Sequence, residues 1–185
     1  DLHSALERIL AQTTKLESLS VEGLKSAAVP GAAPGGASDA MVSALKADLA
    51  NREKELNELL ANPNEYVRSW AIQLLAENKS ISTETLKLFG NLAQKDNSAL
   101  VRLYLASAMQ RIDPSQRWEV LEALTQKVED KADHNQPLML WYAAEPLAEI
   151  DTKRAIQLAE KAKMPKFLNY TIQRVGAINS EEAKK

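Results

Sequence analysis

Between Asn62 and Glu149 the chain repeats one pattern three times. The first copy reads NPNEYVRSWAIQLLAEN and the second KDNSALVRLYLASAMQRID, with Arg68 and Arg102 standing 34 residues apart. The third, ADHNQPLMLWYAAEPLAEID, is more divergent but still aligns. Asn62, Asp96 and Asp133 share a turn position, Val67, Val101 and Leu138 an apolar one, and Trp70, Tyr104 and Trp141 an aromatic one. A period of about 34 to 40 residues with helical patterning marks helical hairpins stacked in line, each burying its apolar face only against its neighbours. The expected fold class is therefore all-α, a short α-solenoid. Solenoids present surfaces and rarely carry chemistry, and no residues here form a recognisable catalytic set.

The remaining segments are read from their own patterns. Leu2, Leu6, Ile9, Leu10 and Leu16 recur at helical spacing and predict a separate amphipathic helix, residues 1–27. Pro30, Gly31, Pro34, Gly35 and Gly36 exclude regular structure and predict a flexible linker over residues 28–38. The solenoid is expected over residues 39–176 and a solvated tail over residues 177–185. Its first helix carries the stripe Val42, Leu45, Leu49, Leu56, Leu59 and Leu60 and stops at Asn62-Pro63, because the residue before proline is driven out of the α region. Ser82, Asp113 and Asp151 read as N-caps, the second of them followed by Pro114 and Gln116 as in a capping box. Trp118, Leu121, Leu124 and Val128 stripe the helix after Asp113, and Pro146 is expected to kink the one that starts near Asn135.

With 185 residues, 45% hydrophobic, 26% charged and a net charge of −2, the composition is that of an ordinary globular protein. Nonspecific capture of nucleic acid needs many Lys and Arg against phosphate, so nucleic acid is not the expected partner. No cysteine is present, which excludes disulfides, thiolate metal sites and C-x-x-C-H haem attachment within these residues. No apolar run approaches the roughly 20 residues of a membrane span. The chain begins at Asp1 rather than methionine, so a trimmed piece of a longer protein is expected, with any targeting signal outside it.

Asn62-Pro63 with Val67-Arg68, and Asp96 with Val101-Arg102, resemble HEAT repeats, whose turn carries an acid or amide and, six residues on, an arginine. Over about residues 64–175 the stretches VRSWAIQLLAENKSIS, VRLYLASAMQRIDPSQRW and DHNQPLMLWYAAEPL resemble the helical region of large secreted planctomycete and verrucomicrobial proteins described as membrane-bound dehydrogenases. Those proteins join a sugar-dehydrogenase-like propeller, this region and a c-type cytochrome domain. The resemblance implies a noncatalytic scaffold or docking module, periplasmic or secreted. It implies no cofactor in this chain, haem lying elsewhere in a parent protein. The implied partners are other domains of the same polypeptide or a second protein.

Within the repeats, Arg68 and Arg102 read either as partner-binding residues or, preferably, as a structural ladder that ties each helix to its turn through Asn62 or Asp96. Met139 replaces the third arginine, so Arg102 is expected to reach across to Asp133. Glu145 falls on the apolar stripe and reads as a buried acid, either functional or held by a nearby arginine at the Pro146 kink. His134 beside Asp133 lacks metal-site spacing. Trp70, Tyr104, Trp118, Trp141 and Tyr142 read as core aromatics rather than stacking platforms. Arg154, Lys161, Lys163, Lys166 and Arg174 make the last hairpin basic, which keeps a solenoid nucleic-acid enzyme of the DNA glycosylase type as the rival reading.

Overall fold

A computed structural model describes residues 36–77 and 81–178; the expected helix over residues 1–27, most of the linker and nearly all of the tail lie outside those residues. Among the described residues every regular element is helical and no strand occurs. The chain divides into two compact units, Asp1–Lys54 and Glu55–Lys185. The division falls inside the first described helix, α1 (Gly36–Leu59), rather than at the Pro/Gly stretch. Residues 36–38, expected to be linker, are helical. They follow Pro34 and occupy the first turn of α1, where backbone N–H groups have no intrahelical partner anyway. In the first unit Val42 and Leu49 are exposed, whereas Leu56 and Leu60, in the second, are buried. The apolar stripe read along this helix is thus a buried seam only at its C-terminal end.

The second unit continues with α2 (Glu65–Glu77), α3 (Thr83–Lys95), α4 (Ala99–Met109), α5 (Trp118–Leu124), α6 (Gln136–Ala144), α7 (Leu147–Ile150), α8 (Thr152–Lys161) and α9 (Pro165–Ala177). Short 3-10 turns at Pro114–Gln116 and Val128–Asp130 flank α5. Helices α2, α4 and α6 form a row, α2 packing on α4 and α4 on α6; α9 packs on α6, and α3 packs on α5. Ile72, Leu75, Phe89, Leu105, Met109 and Leu121, from α2, α3, α4 and α5, are buried in the core. Burying a side chain of this size removes it from water at a gain of about 1.5 to 3 kcal/mol.

Local chemistry sets the boundaries. The Ser82 hydroxyl accepts from Thr85 N at 3.1 Å, that of Ser98 from Val101 N at 3.2 Å, and the Asp151 carboxylate from Arg154 N at 2.9 Å. Each satisfies a donor that the first helical turn leaves open. Asp113 opens a 3-10 turn rather than α5 itself. Val128, expected on the α5 stripe, lies beyond its end and is exposed. Pro146 goes further than a kink: lacking an N–H for the Tyr142 carbonyl, it separates α6 from α7.

Candidate functional site

Three turns precede α2, α4 and α6, and all are built alike. In each, a side-chain oxygen accepts from the backbone N–H two residues on: Asn62 from Asn64 at 2.9 Å, Asp96 from Ser98 at 2.9 Å and Asp133 from Asn135 at 2.7 Å. This is the bond by which Asx side chains imitate a backbone turn. Asp133 accepts from Gln136 N as well, at 2.8 Å. Those two N–H groups, Gln136 foremost, hold its carboxyl below the ordinary carboxylate value.

The arginines connect one turn to the next. Arg68 donates through Nη1 to the backbone carbonyls of Asn62 at 2.8 Å and Pro63 at 3.1 Å. Its Nε and Nη2 make a bidentate pair with the Asp96 carboxylate at 2.8 and 3.0 Å. Arg102 repeats the arrangement, with Nη1 to the Asp96 carbonyl at 3.1 Å and Nε and Nη2 to Asp130, both at 2.6 Å. A Glu129 oxygen lies 3.8 Å away. The Asp130 hydrogen bonds hold the Arg102 guanidinium above its ordinary pKa against the opposing effect of burial. Two parallel charge-assisted bonds fix both distance and orientation between successive turns.

The expected bonding differs in two respects. Neither the Asn62 nor the Asp96 side chain binds the arginine of its own turn, since the backbone carbonyl does so instead. Nor does Arg102 reach Asp133, because the nearer Asp130 takes the guanidinium while Asp133 closes the turn. Asp96 performs both tasks at once. In the third turn the 3-10 segment splits them between two acids three residues apart. The sequence held a signal for this, as Asp130 stands 34 residues after Asp96, the same interval that separates the two arginines.

Like Asp130, Arg117 and Gln136 are buried polar residues that the sequence pattern does not announce. Arg117, 5% exposed, has no carboxylate partner among the described residues. It donates to three backbone carbonyls: Ile112 at 2.8 Å, Ala143 at 2.8 Å and Gln110 at 3.3 Å. Desolvation lowers its pKa, with Asp113 acting in the opposite direction. Because its partners are carbonyls at the ends of α4 and α6, no charge pattern announces it. Gln136 is buried too; its Nε2 donates to the Ala99 carbonyl at 3.2 Å and its Oε1 has no protein partner.

Glu145 is not a buried acid. Its side chain is 36% exposed and pairs with Arg174, whose Nε lies against it without hydrogen-bond alignment while Nη2 donates to Glu149. The break at Pro146 turns the chain here and brings α9 alongside. Trp118 is buried, with the Arg154 guanidinium 4.3 Å over its ring, and Trp141 meets Phe167 and Tyr170 at 6.4 and 5.7 Å. Trp70 and Tyr142, read as core, are 42% and 52% exposed. They stand on solvent-facing positions of α2 and α6.

The row of α2, α4 and α6 carries a groove of about 330 Å³. A second groove, of about 460 Å³ beside α8, mixes Glu122 and Asp151 with Lys153, Arg154 and Lys161. Arg154 there is held by Glu122 at 2.9 Å. With Arg174 also paired, the two arginines of the basic C-terminal segment are already neutralised. Among the described residues no group of His, Cys, Asp and Glu could hold a metal ion, His134 included, and no helix is long and apolar enough to cross a membrane. No family model, curated protein or solved structure matches the chain.

Proposed function

We propose that residues 55–178 form a HEAT-like α-solenoid that acts as a noncatalytic scaffold or docking module. The observation that carries this reading is the pair of arginine bridges, Arg68 to Asp96 and Arg102 to Asp130, each spanning 28 residues. Such bridges fix a constant step between successive helical turns, which is what a repeat array needs to hold a regular surface. Exposed Trp70 and Tyr142 on the row of alternate helices supply apolar area for a partner. Placement within a larger secreted redox protein rests on the resemblance over residues 64–175. Haem and dehydrogenase chemistry would then belong to other parts of that polypeptide.

Two measurements test the reading. The coding sequence on either side of this chain is expected to encode a β-propeller upstream and a C-x-x-C-H motif downstream; finding neither overturns the redox parentage and leaves the docking role. Binding to duplex DNA is expected to be weak and to vanish at moderate salt. Submicromolar, sequence-tolerant binding at moderate salt would overturn the scaffold reading in favour of a nucleic-acid enzyme.

A further inference from the structure

The groove between α2, α4 and α6 has a composition that selects its occupant. Its apolar lining is Ala76, Leu103, Ala108 and Met139, with Tyr104. Gln73, Ser107 and Asn135 line the groove too. Each offers both a donor and an acceptor, as an extended main chain requires when it presents N–H and C=O in alternation. Arg111 is the one charged residue of the lining, and it is exposed with no ion pair among the described residues. A volume of about 330 Å³ accepts a few side chains, not a folded domain.

The helical stripes that line the groove extend beyond it on α2 and α6. On α2, Tyr66 and Trp70 precede Gln73 at helical spacing, and on α6, Tyr142 follows Asn135 and Met139 at helical spacing. All three aromatics are exposed. A small molecule seated in the groove would leave them uncovered, whereas an extended chain crossing the three helices would cover them.

We propose that this face binds an extended peptide segment that places an apolar side chain against Leu103 and Met139 and an adjacent Asp or Glu against Arg111. The proposal rests on the docking role and gives that role a partner chemistry.

Short random peptides displayed on phage and selected against the full chain provide the test. Selection is expected to enrich sequences in which Leu, Ile, Phe or Met lies within two positions of Asp or Glu. A synthetic copy of the enriched peptide should lose about tenfold in affinity with Arg111→Gln, the cost of one charge-assisted hydrogen bond. Ser107→Trp, which fills the groove from a half-exposed position, should remove binding while the helical circular dichroism is kept. Enrichment of sequences without acids, or no enrichment, overturns the proposal. Peptides that bind but ignore both substitutions also overturn it, and in that case the docking role stands on another face.

Discussion

Arg102 and Asp130 meet through two parallel hydrogen bonds of 2.6 Å, in a place where both side chains are nearly sealed from water. Removing one partner strands the other's charge. Arg102→Met is therefore expected to lower stability by about 3 to 5 kcal/mol, the scale for breaking one side of a buried pair. Replacing both, as Arg102→Met with Asp130→Leu, should recover most of that loss. Arg68→Met should cost less, about 1 to 3 kcal/mol, since water still reaches that pair. Urea unfolding of the four proteins decides the matter; equal and negligible losses would mean the bridges contribute nothing to stability.

Arg117 binds carbonyls at the ends of two helices, and its planar fork is what lets one side chain reach all three. Arg117→Lys keeps the charge but concentrates it at one point. We expect the lysine variant to lose roughly as much as Arg117→Met, about 2 to 3 kcal/mol, because buried acceptors are left open in both. A lysine variant as stable as the parent in thermal unfolding would show that charge alone suffices.

The depressed carboxyl of Asp133 predicts an acid limb. Stability from this group is complete above the ordinary value of 3.8 and is lost as pH falls through the lower folded value. Asp133→Asn keeps an acceptor for the turn but cannot titrate. Its stability should fall less steeply than the parent's over about pH 4 to 2, followed by tryptophan fluorescence in urea. Superimposable acid limbs would remove Asp133 from the account.

Gly90 lies inside α3, where glycine is costly to order. An added Cβ would meet the Glu119 side chain at 3.6 Å, ordinary contact. Gly90→Ala is expected to stabilise by about 0.5 to 1 kcal/mol, read as a rise in Tm. A fall would show that this packing cannot yield.

Near-neighbour chemistry made much of the molecule legible. Ser82, Asp151, Asn62-Pro63 and Pro146 act within four residues of themselves, so the chain order states their effect. The shared turn position of Asn62, Asp96 and Asp133 was readable for the same reason. For partners 28 residues away the sequence offers two candidates, the 34-residue interval pointing to Asp130 and the shared turn position to Asp133, and only the turn geometry decides which faces Arg102. Helical period also cannot tell an inner stripe from an outer one when both carry aromatics, which is why the pattern points Trp70 and Tyr142 to the core although both are exposed. Arg117 gives no warning in the pattern, since every residue, proline included, has a backbone carbonyl to offer.

The arginine bridges run one way along the chain. Each guanidinium holds a carbonyl already behind it and an acid still 28 residues ahead. During synthesis, Arg68 and then Arg102 leave the ribosome before the carboxylate that neutralises each, so a nascent turn stays electrostatically open until its successor arrives. Met139 stands where a third such arginine would be, and the series closes there without an unmatched cation.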